Sequence, residues 1–184
     1  MGREVPPLPE VLLDACSLIN FMASGLDLNG IAAANSCRFV ATSVAMNETL
    51  YLAADGPEGE RELIDTAALV GSSALGVIEL DSTELSEFVN LARIVDDGEA
   101  STLAVAKRRG LSIATDDRRA IRLAIELGIT VHTTATVLRR WASESSASED
   151  ALSNALRSVE VRGNFVPRRD DPDRPWWDAS ARRP

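Results

Sequence analysis

Carboxylate side chains recur near the ends of short apolar segments of this chain, in the order Asp14, Glu48, Glu99, Asp116 and Asp117. Asp14, for example, directly follows Val11-Leu12-Leu13. The carboxyl ends of parallel strands share one edge of an open α/β sheet, where ligands bind, so these carboxylates are expected to meet there. Ionised carboxylates repel one another unless a cation joins them, and Mg²⁺ and Mn²⁺ prefer oxygen ligands. The pattern predicts a metal site with a phosphate-type substrate.

Alternating extended and helical segments provide the framework for these carboxylates. Short apolar segments of strand type lie at 11–13, 39–42, 77–80, around 113 and at 129–131. The segments predicted to be helical are 14–23, 44–53, 58–70, 82–95, 99–109, 118–127, 134–143 and 148–159. Asp81 with Glu84 has the spacing of a capping box, and Gly110 and Gly128 are suited to helix ends. The alternation predicts an α/β fold with three α/β/α layers around a central, mostly parallel sheet.

Composition narrows the class of protein. The 184 residues carry a net charge of −9, which argues against broad nucleic-acid binding through a basic surface but is compatible with a carboxylate site. The two cysteines, Cys16 and Cys37, are too few for a disulfide framework and are expected to be structural. With a single histidine, His132, a zinc site is disfavoured. No signal-peptide pattern or membrane-spanning run stands out, so a cytoplasmic protein with no membrane association is expected.

The last part of the chain differs in composition from the rest. Residues 1–160 are expected to form one globular domain, whereas 161–184 are rich in Arg, Pro and Asp around Trp176 and Trp177. Such a segment has too few apolar residues to bury a core alone. The sequence therefore predicts a flexible tail, disordered or docked on a partner.

The acidic segments resemble the motifs of a known family. The similarity is carried by Leu13-Asp14-Ala15-Cys16-Ser17-Leu18-Ile19-Asn20, Thr42-Ser43 with Glu48, Gly98-Glu99-Ala100 with Ala104 and Ala106, and Ala114-Thr115-Asp116-Asp117-Arg118. In this order and spacing they look like the four motif blocks of PIN-domain ribonucleases, with VapC-type toxins as the nearest relatives. The resemblance covers roughly residues 10 to 140.

The resemblance also implies roles for individual residues. Asp14, Glu48, Glu99 and Asp117 would be catalytic and would bind Mg²⁺ or Mn²⁺. Asp97 is a possible substitute or helper for Glu99, and Asp116 is either an alternative to Asp117 or a helper acting through a water. Ser17 and Thr115 are candidates for positioning carboxylates, water or substrate, with a purely local structural role equally open for both.

Basic residues near the acidic segments are candidates for binding a phosphate backbone. Arg118 and Arg119 directly follow Asp117 and are the preferred candidates for contacting substrate. The cluster Lys107-Arg108-Arg109 ends a predicted helix, where cations are favoured by the helix dipole without any ligand.

These observations favour a metal-dependent endoribonuclease that cleaves RNA phosphodiester bonds. By resemblance it would be the toxin of a type II toxin–antitoxin pair, a homodimer restrained by an antitoxin protein. The first alternative is a catalytically inactive PIN-like domain that binds RNA or serves as a scaffold. A phosphatase or a receiver-like domain also gathers acids at strand ends. A receiver is disfavoured because a single Asp14 follows the first strand and the only lysine is Lys107. A dinucleotide site is disfavoured because no G-x-G-x-x-G motif follows a strand.

Overall fold

Strands and helices alternate along most of the computed structural model, which describes residues 7–48, 50–53 and 61–182. In chain order the elements are β1 (Glu10–Leu13), α1 (Ala15–Ala23), α2 (Leu28–Ala34), β2 (Arg38–Thr42), α3 (Ser43–Met46), β3 (Tyr51–Leu52), β4 (Glu62–Leu63), α4 (Thr66–Gly71), β5 (Gly76–Ile78), α5 (Ser82–Leu91), α6 (Asp97–Arg109), β6 (Ser112–Ala114), α7 (Arg118–Glu126), β7 (Val131–His132), α8 (Thr134–Glu144), α9 (Glu149–Arg162) and α10 (Arg174–Ala181). Within the described ranges, no helix combines the length and apolar character needed to cross a membrane.

The central sheet has five strands in the order β5-β2-β1-β6-β7, and every neighbouring pair is parallel. β1 lies in the middle, with Leu12 opposite Val40 of β2 on one side and Ile113 of β6 on the other. All five strands therefore end at the same edge of the sheet. The predicted α/β fold with a mostly parallel sheet is confirmed.

Alternate strand residues enter two separate apolar cores. Leu12, Val40 and Ile113 pack with α5, α6 and α7 on one face, whereas Leu13 and Phe39 pack with α1, α2, α8 and α9 on the other. Both faces are thus covered, which explains why these strands are apolar without interruption. Each fully buried Leu or Phe stabilises the fold by about 1.5–3 kcal/mol.

Helix ends follow the local sequence signals. Asp81 and Glu84 form the predicted capping box at the start of α5. Glu84 also accepts hydrogen bonds from the Arg109 guanidinium at 2.6 and 2.8 Å, which ties α5 to the end of α6. Gly110 then ends α6 in the left-handed conformation, with φ of 67°. These contacts fix the direction of α6, whose other end reaches the carboxyl edge of the sheet.

The segment after β2 differs from the prediction. Instead of one helix over 44–53, the short α3 begins directly after Thr42, whose hydroxyl accepts a hydrogen bond from the Ala45 amide. β3 follows, with Leu52 buried and Tyr51 exposed, and pairs with β4 in an antiparallel ladder. That alternation has the period of a strand, which helical propensity alone does not reveal.

Two further helices differ from expectation. The predicted helix at 58–70 begins only at Thr66, after the Asp65 cap, and residues 58–60 of that prediction lie outside the described residues. α2 had not been predicted, although Asp27 caps it by accepting hydrogen bonds from the Asn29 and Gly30 amides. Its sequence, LNGIAAA, shows little helical periodicity, so the Asp27 cap is the main sequence signal for this helix.

The C-terminal segment is not the free tail that its composition predicts. Trp177 of α10 is fully buried, and its indole N–H donates to Glu160 of α9 at 2.8 Å. Phe165 packs edge-to-face on the Trp177 ring. Asp173 accepts hydrogen bonds from Thr136 and Arg139 of α8. Two aromatic rings and these polar contacts allow residues 163–182 to complete the core of the preceding domain.

Candidate active site

Carboxylates from distant parts of the chain meet at the carboxyl edge of the sheet. Asp14 follows β1, Glu48 follows α3, Asp96 and Glu99 lie at the start of α6, and Asp117 caps α7. Asp96, Asp117, Asp14 and Glu48 each raise the pKa of Glu99 by electrostatic repulsion. The four acids that the resemblance implies therefore lie together, and Asp96 joins them.

Asp14 is the most enclosed of these carboxylates, with 4% of its surface exposed. It caps α1 by accepting a hydrogen bond from the Ala15 amide at 2.7 Å, and it also accepts from Thr115 Oγ1 at 2.8 Å and Cys16 Sγ at 3.1 Å. Burial raises the pKa of Asp14 above its usual value, although these hydrogen bonds oppose the effect, and repulsion from Asp96 adds to it.

Thr115 links two of the site residues, Asp14 and Asp117. Its hydroxyl donates to Asp14 and accepts a hydrogen bond from the Asp117 amide at 3.2 Å. Asp117 then uses one oxygen, Oδ1, to cap α7 by accepting from the Arg119 and Ala120 amides. No hydrogen bond to its other oxygen is found among the described residues. One Asp117 oxygen thus anchors the side chain, and the other is available to a ligand.

Glu48 is brought to the site by a close approach to Gly98. A Cβ atom at residue 98 would overlap Glu48 Oε1, so the second residue of α6 has to be small for this arrangement. The Gly98 amide hydrogen-bonds the Glu48 carboxylate and lowers its pKa. Burial and repulsion from Asp96, Asp14 and Asp97 outweigh that hydrogen bond and raise the pKa of Glu48 overall.

Glu99 carries the strongest sign of crowding among the candidates. Burial, followed by repulsion from neighbouring carboxylates, raises the pKa of Glu99 to about 8. Asp96 caps α6 by accepting a hydrogen bond from the Glu99 amide at 2.9 Å, which places the two acids side by side. Asp97, which the sequence suggested as a substitute ligand, is exposed in the first turn of α6 and contributes to the same negative potential.

Asp116 is turned away from this cluster. Its Oδ1 accepts from the Thr134 amide at 3.0 Å, and its Oδ2 accepts from Thr134 Oγ1 and from Asn20 Nδ2 at 3.1 Å. Burial raises the pKa of Asp116 to about 6 against the effect of these bonds. Both oxygens already have partners, so Asp116 holds β6, α1 and α8 together, and the choice between neighbours favours Asp117 as a ligand.

Two hydroxyl residues suggested for substrate contact are instead enclosed. Ser17 has no exposed surface, and within the described ranges its Oγ has no hydrogen-bond partner. Thr115 is 1% exposed, and its hydroxyl is already engaged by Asp14 and Asp117. Direct contact of either hydroxyl with a substrate stays a prediction, whereas Thr115 already contacts Asp14 and the Asp117 amide.

The two cysteines occupy structural positions, as expected. Burial, and then repulsion from Asp14, raise the pKa of the Cys16 thiol well above its usual value, which keeps it protonated and able to donate to Asp14. Cys37 is buried at a distance from this edge of the sheet, and burial raises its pKa to about 11. Neither thiol is poised to act as a nucleophile.

Arginines line the opening beside the carboxylates. A groove of about 560 Å³ has Asp96, Glu99 and Asp117 among its lining residues. Arg118, Arg119 and Arg122 line it as well, and all three are exposed. Among the described residues, no ion pair joins a site carboxylate to any basic side chain. Negatively charged side chains and exposed arginines thus share one opening without forming ion pairs among the described residues.

The carboxylates do not form a closed coordination shell by themselves. In the described part of the chain, no three Asp, Glu, His or Cys side chains are close enough together to count as a ready-made metal cluster. The chemistry of the donor set nevertheless fits a hard divalent cation, because it consists of carboxylate oxygens and includes the buried Asp14 with no cationic partner. Mutual repulsion keeps such groups apart until positive charge is present.

The fold and the site together describe one class of protein: an α/β domain whose parallel sheet carries a cluster of carboxylates at its carboxyl edge. Comparison with family models matches residues 11–169 to a PIN domain. The chain therefore belongs to the PIN-domain family, whose fold is of nuclease type and whose members typically use divalent metals. Comparison with curated proteins gave no match. The family match does not single out VapC-type toxins, so that part of the resemblance stays a prediction.

Three residues of the site region have roles that were not predicted from the sequence. Asp96 was not singled out, although an Asp three residues before Glu99 has the spacing of a helix cap. Gly98 was quoted as part of a motif, but its contact with Glu48 depends on the tertiary fold. Asn20 was also quoted as part of a motif, but its role was not predicted because its partners Asp116 and Thr134 are far away in the sequence.

Proposed function

We propose that this protein is a metal-dependent endoribonuclease that hydrolyses RNA phosphodiester bonds. The observation that carries the proposal is the convergence of Asp14, Glu48, Glu99 and Asp117 beside a groove lined with unpaired arginines. A phosphate group needs positive charge, whereas a carboxylate cluster repels it. The two become compatible when a divalent cation lies between them.

Asp14, Glu99 and Asp117 would hold Mg²⁺ or Mn²⁺, with Glu48 and Asp96 completing the negative pocket. The bound cation supplies charge that lowers the pKa of water and stabilises the phosphate oxygens. Thr115 fixes the positions of Asp14 and Asp117 relative to each other, because its hydroxyl hydrogen-bonds both residues. The helix caps made by Asp14 and Asp117 restrict these two side chains further.

Arg118 and Arg119 would bind the phosphates next to the scissile bond. Both are exposed at the first turn of α7, within the same groove as Asp117. Guanidinium groups form charge-assisted and often bidentate hydrogen bonds to phosphate, which holds a flexible backbone in a defined orientation. Their role is therefore to position the substrate against the carboxylates.

Mutation of the central carboxylates tests the proposed activity. Asp14→Asn and Asp117→Asn should each abolish Mn²⁺-dependent cleavage of single-stranded RNA, followed by gel electrophoresis, while the melting temperature and circular dichroism show a folded protein. Asp150→Asn is the matched control, because Asp150 is exposed on α9 and loses the same charge. Cleavage at the wild-type rate by either site variant would overturn the assignment.

A catalytically inactive PIN-like domain that binds RNA or acts as a scaffold is the alternative. It predicts that wild-type protein binds RNA but does not cleave it in Mg²⁺ or Mn²⁺ at any pH between 6 and 9. The four motif acids favour the active form, since a domain without catalysis has no need to keep crowded carboxylates that raise one another's pKa.

In the cell we propose the toxin role in a type II toxin–antitoxin pair, in the cytoplasm, as a homodimer with an antitoxin partner. This role rests on the resemblance of the four motif blocks to VapC-type toxins. Induced expression of the wild type should arrest growth, and Asp14→Asn should relieve the arrest. Growth of both strains at the same rate, together with no antitoxin-like reading frame beside the gene, would exclude this role without affecting the ribonuclease proposal.

A further inference from the structure

A second groove continues from the candidate active site along the outer side of α7. It has a volume of about 520 Å³ and is lined by Arg93, Ile94, Arg119, Arg122, Leu123 and Glu126. Arg119 and Arg122 also line the groove that contains Asp117, so the two openings adjoin at these two side chains. The path leads from the carboxylates, past α7, to the link between α5 and α6.

The arginines of this path are free of acidic partners. Arg93, Arg119 and Arg122 are exposed, and none of them forms an ion pair with another residue in the described part of the chain. Arg119 and Arg122 have i, i+3 spacing, which places them on the same side of α7.

Apolar surface lies between these cations. Ile94 is 56% exposed beside Arg93, and the partly buried Leu123 lies across the groove on α7. In duplex RNA the bases are stacked inside, so only a single strand presents base faces to such surface. Guanidinium groups and apolar side chains along one path therefore suit a single strand better than a duplex.

We propose that single-stranded RNA leaves the candidate active site along α7, with Arg122 and then Arg93 binding successive phosphates. This inference rests on the proposed ribonuclease function and extends it by giving the strand a defined path. Glu126 also lines the groove and is its one acidic lining residue among those described, so the phosphates are expected to follow the arginines and avoid this side chain. RNA therefore has to extend several nucleotides beyond the scissile bond for full affinity.

Binding measurements on arginine variants test this path. The probe is a fluorescently labelled RNA of eight uridines, with affinity measured by anisotropy in Mg²⁺ using the full chain carrying Asp14→Asn to prevent cleavage. Arg93→Gln and Arg122→Gln should each raise the Kd by about 3–10-fold. Each should also reduce the slope of log Kd against log salt by about 0.7, the value for loss of one phosphate contact in a single strand.

Arg108→Gln is the matched control, because Arg108 is exposed near the other end of α6, roughly 15 Å from its first turn. Its Kd should stay within two-fold of the parent. If Arg93→Gln and Arg122→Gln bind the RNA as tightly as Arg108→Gln, the path is wrong. Preference for the matching RNA duplex, or arginine-dependent binding of poly-glutamate in place of RNA, would also overturn it.

Cleavage by the wild-type chain is measured separately, so the two proposals fail independently. Absence of cleavage with arginine-dependent binding intact overturns the ribonuclease proposal and supports the path. Wild-type cleavage combined with unaltered binding by both arginine variants overturns the path alone.

Discussion

Replacement of Glu99 by Gln should stabilise the metal-free protein at alkaline pH. Burial and the neighbouring carboxylates raise the pKa of Glu99 from 4.5 to about 8 on folding. Below pH 4.5 this carboxyl is protonated in both the folded and the unfolded chain and has no differential effect. As the pH rises to about 8, the unfolded chain releases its proton first, so the free energy of unfolding falls. Gln has no proton to lose and avoids this penalty.

The size of the effect follows from the pKa difference. Taken at face value, the shift corresponds to an upper bound of roughly 5 kcal/mol. Glu99 is only half-buried, and solvent screening reduces this value to about 1–2 kcal/mol. For a domain of this length, that is a rise in melting temperature of about 2–8 °C.

The assay is thermal unfolding in a metal chelator at pH 4.5 and at pH 8.5, comparing wild type, Glu99→Gln and Glu144→Gln. Glu144 is exposed at the end of α8 and provides the same change of charge outside the site, with an expected effect of a few tenths of a kcal/mol. Glu99→Gln should exceed this control at pH 8.5 and match it at pH 4.5.

Addition of Mn²⁺ should then make the wild type more stable than Glu99→Gln, because a cation that binds only the folded wild type stabilises it by mass action. If Glu99→Gln is no more stable than Glu144→Gln at pH 8.5 in chelator, the carboxylates are not crowded as described. The electrostatic basis of the site would then be refuted.

Three further substitutions separate structural from chemical roles. Gly98→Ala should displace the Glu48 carboxylate and lower RNA cleavage at least ten-fold, while unfolding free energy stays equal or rises by about 0.5 kcal/mol, as urea titration would show. Trp177→Ala should lower the unfolding free energy by about 3–5 kcal/mol in the same titration, whereas a free tail predicts no change. Hydrogen bonds from Arg109 lower the pKa of Glu84, so this pair stabilises above pH 4.5 and progressively less as the pH falls further. Glu84→Gln should therefore cost about 1–2 kcal/mol at pH 7 and much less at pH 3, and an equal loss at both pH values would contradict the ion pair.

Local signals in the sequence predicted most of the framework. β1, β2 and β6 are short apolar runs that are each followed by a helix, and alternation of strand and helix with short links leaves few topologies other than a parallel sheet. The capping box at Asp81 and Glu84 is equally local, since both partners lie within one turn. The pairing order of the strands was not predicted, because it depends on packing between residues far apart in the sequence.

The site was predicted as a group of acids but not in its internal arrangement. Nothing local distinguishes Asp116 from Asp117, since both follow Thr115, and the distinction arises from Asn20 and Thr134 across the fold. Ser17 looked like a site hydroxyl by position, yet the helix turns it into the interior. Sequence patterns thus indicate which groups approach the sheet edge, whereas tertiary hydrogen bonds decide which oxygens remain available.

Docking of α10 affects how shortened versions of this chain should be interpreted. The family match ends at residue 169, but Trp177 lies beyond it and fills the space between α9 and Phe165. A truncation at 169 would retain every carboxylate of the candidate active site and every arginine of the two grooves while opening a cavity in the interior. Inactivity of such a fragment would report on lost packing, and residues 170–182 therefore belong in any minimal unit used to judge catalysis.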